Sequence, residues 1–171
     1  MPTEYVILVD EQDKPLGEME KQEAHLQNRK HRAFSVFLQD ADGKIILQKR
    51  AAVKYHSPNL WTNACCGHPR PNESTIDAAK RRTYEELGIE VDIREIFTLS
   101  YEEKLANGLW ENEFDHVFLG TYTQPIAHFN RDEVSDIRSE FIEAVTKDVQ
   151  TNPDEYTFWF QKILPKLISY L

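Results

Sequence analysis

The chain is organised around residues 63–69, which read Asn63-Ala64-Cys65-Cys66-Gly67-His68-Pro69. In extended backbone, alternate side chains point to opposite faces, so the Cys66 thiol and the His68 imidazole share one side and Cys65 takes the other. Gly67 between them allows unusual backbone angles or a close approach to a ligand. A Cys-x-His alone is more typical of a packed thiol beside a surface imidazole than of a site. Its meaning therefore depends on the rest of the chain.

A helix is predicted directly after this stretch. Ser74 is a good N-cap residue, Asp77 completes a capping-box-like pair, and Gly88 is a typical stop. Helical spacing predicts a packed face made of Ile76, Ala79, Thr83 and Leu87. Arg82 and Glu86 are four residues apart and share a neighbouring face.

The remaining elements are mostly strands. We predict strands at residues 5–9, 16–19, 31–38, 44–50, 91–100, 113–123 and 141–145. Residues 40–43 are predicted to form a hairpin turn, residues 21–28 a short helix or loop, and residues 158–171 a helix bent or interrupted near Pro165. Strands outnumber helices, which predicts an α/β (α+β) fold with a mixed β-sheet sandwiched between helices, in a single domain over residues 1–171.

Composition narrows the functional class. The 171 residues carry a net charge of −9 and a pI near 5.2, which argues against nonspecific nucleic-acid binding. The two cysteines are adjacent, and neighbours in sequence rarely bridge each other. The N-terminal residues lack the pattern of a signal peptide, and no apolar run is long enough to span a bilayer. We expect a cytoplasmic protein, monomeric or homodimeric, with neither nucleic acid nor membrane as a partner.

Three groups of residues carry candidate chemistry. The first has metal-ligand character: Glu111 and Glu113 lie on one face of a predicted strand, and folding can add His25, His31 and His68. The second comprises cations that would form a diphosphate pocket if they converge: Lys21, Arg50, Lys54 and Arg82. The third is aromatic: Tyr101 and Trp159. Taken one at a time, each of these residues is better explained by surface solvation or core packing.

Several stretches together resemble one family. They are Glu4 through Asp10, Lys21 with His25, residues 31–35, residues 48–50, Leu60-Trp61-Thr62-Asn63 through Pro69, residues 78–88, and Glu111-Asn112-Glu113. The match covers nearly the whole chain, and the Trp-Thr-Asn-x-x-Cys-Gly-His-Pro stretch combined with Glu-Asn-Glu is highly specific. The chain thereby resembles the type I isopentenyl-diphosphate isomerases, which belong to the Nudix superfamily.

The resemblance implies a role for each candidate. The ligands of a tightly held divalent metal, Mn²⁺, Zn²⁺ or Mg²⁺, would be His25, His31, His68, Glu111 and Glu113. Cys66 would be the acid/base thiol, and Glu113 would also transfer a proton with help from Tyr101. Glu86 would bind a Mg²⁺ that also contacts the substrate, and the diphosphate grip would consist of Lys21, Arg50, Lys54 and Arg82. Trp159 would face a carbocation, although Phe158 precedes it where the family usually has proline.

The implied activity converts isopentenyl diphosphate to dimethylallyl diphosphate through a tertiary carbocation, in isoprenoid biosynthesis. One alternative is a Nudix pyrophosphohydrolase acting on a nucleoside diphosphate derivative. The full Nudix signature has Arg-Glu where this chain has Arg81-Arg82, and a cation in place of a carboxylate favours binding a diphosphate over cleaving it. A second alternative is a metal-stabilised binding module, which would leave the Cys66 thiol and the scattered cations unexplained.

Overall fold

The computed structural model describes residues 2–171. Its strands are β1 (Tyr5–Val9), β2 (Pro15–Glu20), β3 (His31–Gln39), β4 (Ile45–Arg50), β5 (Trp61–Thr62), β6 (Cys65–Gly67), β7 (Asp92–Lys104), β8 (Trp110–Thr121) and β9 (Val134–Glu140). Its α-helices are α1 (Lys21–Leu26), α2 (Thr75–Leu87), α3 (Ile142–Thr151) and α4 (Phe158–Leu167), with 3-10 turns at Pro153–Glu155 and Ile168–Tyr170. Over residues 2–171, no helix has both the length and the apolar character needed to cross a membrane.

Strand β3 is the centre of the sheet. It pairs in parallel with β8 from His31 opposite Glu113 to Gln39 opposite Thr121, and β8 pairs antiparallel with β7. On its other edge β3 pairs antiparallel with β6, which carries the two cysteines. Strands β5 and β9 flank β4 in antiparallel register. Parallel and antiparallel pairs coexist, as the predicted mixed sheet requires.

The two faces of β3 face different helices. Phe34, Val36 and Leu38 belong to a buried cluster that includes Ala78 and Leu87 of α2. Phe37 belongs to the other large cluster, to which α4 contributes residues such as Phe160 and Ile163. This alternation matches the period of an extended strand buried on both sides. The prediction of a mixed sheet between helices is confirmed.

Helix α2 has the predicted ends. The Ser74 side chain accepts a hydrogen bond from the Asp77 backbone N–H at 3.2 Å, and Gly88 ends the helix with φ of 70°. A Cβ at Gly88 would lie 2.9 Å from the His128 carbonyl oxygen, so both the left-handed backbone and the close neighbour favour glycine there. Ala79, Thr83 and Leu87 are buried as predicted. Helix α2 is thereby fixed against β6 and β3.

Three local predictions need correction. Residues 141–145 are not a strand: Phe141 caps α3, and the polar segment just before it forms β9. A short apolar run does not distinguish strand from buried helix, and Ile142 and Val145 also fit one helical face. Strands β3 and β4 flank the predicted turn but pair only at Gln39 opposite Ile45, because β6 pairs with Phe34 to Val36 of β3. Helix α4 continues through Pro165 to Leu167 before tightening into a 3-10 turn.

Candidate active site and metal centre

One cavity gathers predicted site residues from distant parts of the chain. Those that line it are Lys21, Arg50, Lys54, Cys66, His68, Arg82, Tyr101, Glu111, Glu113 and Trp159. His25 and His31 are fully buried beside it, and Glu86 is buried in α2. Because β3 pairs with β6 on one edge and β8 on the other, the thiol strand and the carboxylate strand lie on either side of β3. The predicted convergence is what the fold produces.

Three histidines and one glutamate form a compact cluster. His25 of α1, His31 at the start of β3, His68 after β6 and Glu113 of β8 each place one ligand atom within 4.8 Å of the others. Glu113 Oε1 lies 3.0 Å from His68 Nε2 and 3.3 Å from His31 Nε2. Imidazoles and a carboxylate at this separation are a typical donor set for a divalent transition metal.

The backbone fixes the orientation of two of these imidazoles. His25 Nδ1 lies 2.8 Å from the Trp110 carbonyl oxygen, and His31 Nδ1 lies 2.8 Å from the Arg29 carbonyl oxygen. A carbonyl only accepts, so each Nδ1 carries the proton and each Nε2 keeps a free lone pair. Both Nε2 atoms are buried without a hydrogen-bond partner in residues 2–171. This pattern, with one nitrogen held by the backbone and the other unpaired, fits a metal ligand.

The pKa values of the cluster also favour metal binding. Burial, together with the neighbouring His68 and His31, lowers the pKa of His25 to about 3. Burial likewise lowers the pKa of His68, although Glu113 opposes the shift. Burial disfavours the ionised form of Glu113 too, but its contacts with His31 and His68 hold its pKa well below the usual range. At neutral pH His25 and His68 are therefore neutral imidazoles and Glu113 is a carboxylate, which are the forms that coordinate metal.

Glu111 lies slightly outside this cluster. The structure does not place it among the four ligand atoms; its Oε1 lies 3.0 Å from Nε2 of the buried His56. Burial and the charge of Glu113 raise the pKa of Glu111 well above its usual range. Glu111 Oε1 has no well-aligned hydrogen-bond donor in residues 2–171, so it is available as a further oxygen ligand close to the cluster.

A buried hydrogen-bond chain supports Glu113 from behind. The Tyr101 hydroxyl donates to Glu113 Oε2 at 2.6 Å and lies 3.5 Å from Asp115 Oδ2. Ser35 Oγ donates to the same Asp115 oxygen at 2.7 Å. Burial and the charge of Glu113 raise the pKa of Asp115 well above its usual range. The pairing of Tyr101 with Glu113 is the contact that the resemblance implies.

Within this cavity, the Cys66 thiol has its own polar partners. Its Sγ lies 3.2 Å from Asn63 Oδ1, to which the thiol donates, and accepts from the Trp159 indole N–H at 3.1 Å. Burial raises the pKa of Cys66 to about 12, although Arg50 opposes the shift. The thiol is therefore protonated at neutral pH. The buried Trp159 is a fixed part of the cavity wall, and the Arg50 guanidinium lies over its ring, 5.3 Å from the centroid.

The two cysteines point in opposite directions. Cys65 is fully buried in the cluster between β3 and α2, whereas Cys66 lines the cavity. Gly67 follows them at a crowded point, because a Cβ there would lie 2.8 Å from Cζ of the Phe34 ring. The strand alternation argued from the sequence therefore places Cys66 at the site.

Carboxylates neutralise most of the cations that line the cavity. Lys21 forms an ion pair with Glu4, and Lys54 forms one with Glu133. Arg82 contacts Glu133 Oε1 at 3.2 Å. Arg50 instead donates to the Ser57 carbonyl oxygen and to His56. All four cations predicted to bind a diphosphate line one cavity, and three of them, Lys21, Lys54 and Arg82, are paired with carboxylates.

Glu86 is held by neighbours within the protein. Its two oxygens accept hydrogen bonds from Arg82 Nη2 at 2.7 Å and from Gln48 Nε2 at 2.8 Å. Burial opposes the charge of Arg82, but Glu86, Cys65 and Glu133 raise its pKa. Glu86, the carboxylate predicted to bind Mg²⁺, thus accepts a hydrogen bond from Arg82, one of the cations predicted to bind the diphosphate.

Some residues of the site have only a weak sequence signal or none. Asp115 extends the alternation of Glu111 and Glu113, and this pattern would have revealed it. His56 lies in an irregular loop, and Glu133 follows a turn, so no periodicity marks either one. His116 lies outside the cavity, with its ring nitrogens 2.8 Å from Asp13 Oδ2 and 3.0 Å from Glu95 Oε2.

Comparison with known proteins agrees with this geometry. Residues 29–162 match the NUDIX domain family. An "Isopentenyl-diphosphate Delta-isomerase" of Pectobacterium atrosepticum is 44% identical over 170 residues, covering 99% of this chain and 94% of that protein. An "Isopentenyl-diphosphate Delta-isomerase 2" of Aromatoleum aromaticum is 44% identical over 165 residues, covering 96% of this chain and 86% of the relative.

Solved structures support the fold. A crystal structure of a Deinococcus radiodurans protein superposes with a TM-score of 0.80 at 20% identity, covering 95% of this chain and 98% of the other. That likeness concerns the fold alone. The near full-length identity to the two relatives is more specific, and the thiol, the histidine cluster and the cations occupy one cavity. The chain belongs to the isopentenyl-diphosphate Delta-isomerase family, within the NUDIX domain family.

Proposed function

We infer that this chain interconverts isopentenyl diphosphate and dimethylallyl diphosphate by moving a proton on to and off the carbon skeleton. The observation that carries the inference is a single cavity lined by a protonated thiol, a carboxylate of a metal-type cluster and several cations. The near full-length relatives bear the name of this activity.

The reaction needs one group that gives a proton to the terminal alkene carbon and another that takes a proton from C2. Cys66 and Glu113 stand in opposite protonation states in the free protein: burial keeps the proton on the thiol, and the flanking histidines keep Glu113 ionised. Of these two groups, the thiol therefore carries a proton and the carboxylate does not. In one direction of this reversible reaction the thiol gives its proton to carbon and Glu113 accepts one; in the other the roles reverse.

Each of the two groups accepts a hydrogen bond from an aromatic side chain. The Trp159 N–H donates to Cys66 Sγ and would stabilise the thiolate left after proton donation. The Tyr101 hydroxyl donates to Glu113 Oε2 and fixes the direction of that carboxylate. Tyr101 and Trp159 are thus positioning residues for the proton transfer in this proposal.

The histidine cluster would hold one divalent ion, with Mn²⁺, Zn²⁺ and Mg²⁺ as the candidates. When bound, such an ion supplies positive charge that fixes the geometry and lowers the basicity of a coordinated carboxylate. His25 and His31 contribute nitrogens whose orientation the backbone already sets. Glu111 would complete the set from its place beside the cluster.

The diphosphate of the substrate would lie against Lys21, Arg50, Lys54 and Arg82. Glu86 would hold a Mg²⁺ that accompanies the diphosphate. Both Glu86 oxygens already accept hydrogen bonds, from Arg82 and Gln48, so Arg82 would have to turn from Glu86 towards the phosphate. Arginine suits this role because its planar fork can bind carboxylate or phosphate oxygens.

The carbocation has to be kept from water. Trp159 is buried beside Cys66, so its indole can shield the reacting carbons and offer a π-face to positive charge. A cation over an indole gains about 2 kcal/mol when both are desolvated. The Arg50 guanidinium lies over this ring, 5.3 Å from its centroid, so the indole already pairs with a positive charge in the free protein.

The decisive test is an assay with isopentenyl diphosphate that follows the double-bond shift by NMR and phosphate release in parallel. We expect dimethylallyl diphosphate to form without free phosphate. The alternative, a Nudix pyrophosphohydrolase, predicts hydrolysis of the P–O–P bond of nucleoside diphosphate derivatives, which leaves one phosphate on each product, and no shift of the double bond. Release of phosphate alone would overturn the isomerase proposal.

A further inference from the structure

Glu133 occupies a fixed position in the cavity wall. It precedes β9, where its backbone N–H donates to the Asn130 carbonyl oxygen at 3.0 Å and its carbonyl oxygen accepts from the Ala51 N–H at 3.0 Å. The side chain, 23% exposed, lines the same cavity as Cys66 and Glu113. Two backbone hydrogen bonds thus fix the base of a carboxylate that faces the predicted substrate.

Both oxygens of this carboxylate contact cations. Oε2 forms an ion pair with Lys54 Nζ, and Oε1 lies 3.2 Å from Arg82 Nη2. Burial opposes the ionisation of Glu133, but Lys54 and Arg82 lower its pKa, so it is a carboxylate at neutral pH. Two of the four cations assigned to the diphosphate are therefore bound to an anion of the protein itself.

This arrangement imitates the way in which the same cations would bind a diphosphate. A lysine and an arginine bridged by two oxygens of one anion make the same charge-assisted hydrogen bonds that they would make to phosphate oxygens. Lys21 has a comparable partner in Glu4, which also lines the cavity. Arg50, in contrast, forms no ion pair with any carboxylate of residues 2–171.

The substrate and Glu133 cannot both take the same donors of Lys54 and Arg82. We propose that Glu133 is an internal competitor of the substrate diphosphate: it holds Lys54 and Arg82 in position in the free protein, and the diphosphate displaces it. Substrate and product carry the same diphosphate, so this competition weakens the binding of both and speeds product release. The inference deepens the proposed isomerase function and rests on it.

The experiment measures binding of inorganic diphosphate by calorimetry to the metal-loaded protein and to Glu133→Gln. Without the competing charge, we expect the dissociation constant to fall about tenfold, which is the change for about 1.4 kcal/mol. Glu85→Gln is the matched control: Glu85 also bonds to Arg82, at 2.7 Å, but it is exposed and does not line the cavity. We expect this control to bind diphosphate within about twofold of the unmodified protein.

The expected result in turnover is a lower KM for isopentenyl diphosphate in Glu133→Gln. Unchanged or weaker diphosphate binding by a folded Glu133→Gln would overturn the inference. Weaker binding restored by excess Mg²⁺ would identify Glu133 as a Mg²⁺ ligand and would overturn it as well. If Glu133→Gln does not fold, Glu133→Asp serves instead, because the shorter carboxylate contacts the cations less well and should also tighten binding.

The two proposals fail in different ways. Absence of a double-bond shift in the unmodified protein would reject the isomerase function whatever the calorimetry gives. Inorganic diphosphate cannot isomerise. The difference in its affinity between the unmodified protein and Glu133→Gln therefore tests the role of Glu133 whether or not the protein is an isomerase.

Discussion

Two walls of the cavity are built on different principles. The histidine wall (His25, His31, His68 and Glu113) is buried except for the half-buried His68, and backbone carbonyl groups fix two of its imidazoles. The cation wall (Lys21, Lys54 and Arg82) consists of side chains that are 19–22% exposed and held by exchangeable ion pairs with Glu4 and Glu133. The first wall is organised before any ligand binds, whereas the second must exchange partners when substrate arrives.

The difference has a physical cause. A metal site needs ligands held to within a fraction of an ångström, and burial with backbone hydrogen bonds provides this. A diphosphate must be bound and released at every turnover, so cations held by exchangeable ion pairs suit it better than rigidly held ones. Substitutions in the histidine wall should therefore affect catalysis and stability together, and those in the cation wall should affect mainly KM.

The largest effect is expected at the thiol that faces both walls. Cys66→Ser should lower kcat by about a thousandfold, within the range for acid–base groups, because a hydroxyl exchanges protons far less readily than a thiol. Cys65→Ser should keep most of the activity, since Cys65 lies in the apolar cluster against α2. Steady-state rates of both variants are the measurement. A dead Cys65→Ser with an active Cys66→Ser would show that the assignment of the two cysteines is wrong.

The next effect tests the histidine wall. His68→Ala should lose both the bound metal and most of the activity. It should also melt at lower temperature, because an ion at a hundred times its dissociation constant stabilises the folded state by about 2.7 kcal/mol. At this chain length, each kcal/mol corresponds to a shift in Tm of about 2–4 °C. Metal analysis, chelation and thermal melting of the pure protein provide the readouts.

The exposed His128 offers the control for this prediction, since it lies outside the cavity. His128→Ala should change neither metal content nor activity. A metal-free protein with full isomerase activity, or an active His68→Ala, would contradict the assignment of the histidine wall.

A smaller effect is expected in the cation wall. Arg82→Glu should raise KM by about 10- to 100-fold, because it removes a charge-assisted hydrogen bond and places a negative charge near the diphosphate. The substitution restores the Arg-Glu pair of the Nudix signature, yet we do not expect efficient hydrolysis. Parallel assays of isomerisation and phosphate release will distinguish the two outcomes, and rapid hydrolysis by the variant would argue that position 82 alone selects the reaction.

The smallest effect concerns pH in the chelated protein. The pKa of His25 falls from 6.5 to about 3 on folding, so below pH 6.5 the unfolded chain binds more protons than the folded one. Stability should therefore decrease as pH falls from 7 to 5, by at most about 1.4 kcal/mol per pH unit for each such histidine. Denaturant melts of the chelated protein and of His25→Phe would show the slope decrease in the variant. An identical slope would mean that His25 is protonated in the folded state.

The sequence predicted local structure and the chemistry of single residues better than it predicted which side chains contact one another. Ser74 and Gly88 mark the ends of α2, and alternation along β3 separates its two faces, because these features depend on neighbouring residues alone. Residues 141–145 were predicted as a strand but begin a helix, because a short apolar run fits both.

The candidate residues of the site could be proposed from their chemistry and from the family resemblance, but most of their partners could not. Glu133 contacts Lys54 and Arg82, and His56 contacts Glu111, across separations that no local pattern encodes. Such contacts depend on how β9 and the loop before β5 pack against the rest of the sheet. Asp115 is different, because it continues the alternation of Glu111 and Glu113 and a longer pattern would have included it.

The parallel pairing of β3 with β8 also has a consequence for how the protein is made. His31 and Glu113 are direct neighbours in this pair but lie far apart in the chain. When only the first half of the chain has left the ribosome, the three histidines of the histidine wall and Cys66 have emerged, but the strand that carries Glu113 has not. Closing so long a segment is entropically costly and slow compared with local structure formation. The nascent chain therefore displays imidazoles and thiols before it can enclose a metal ion, and it acquires the complete site only when β8 docks.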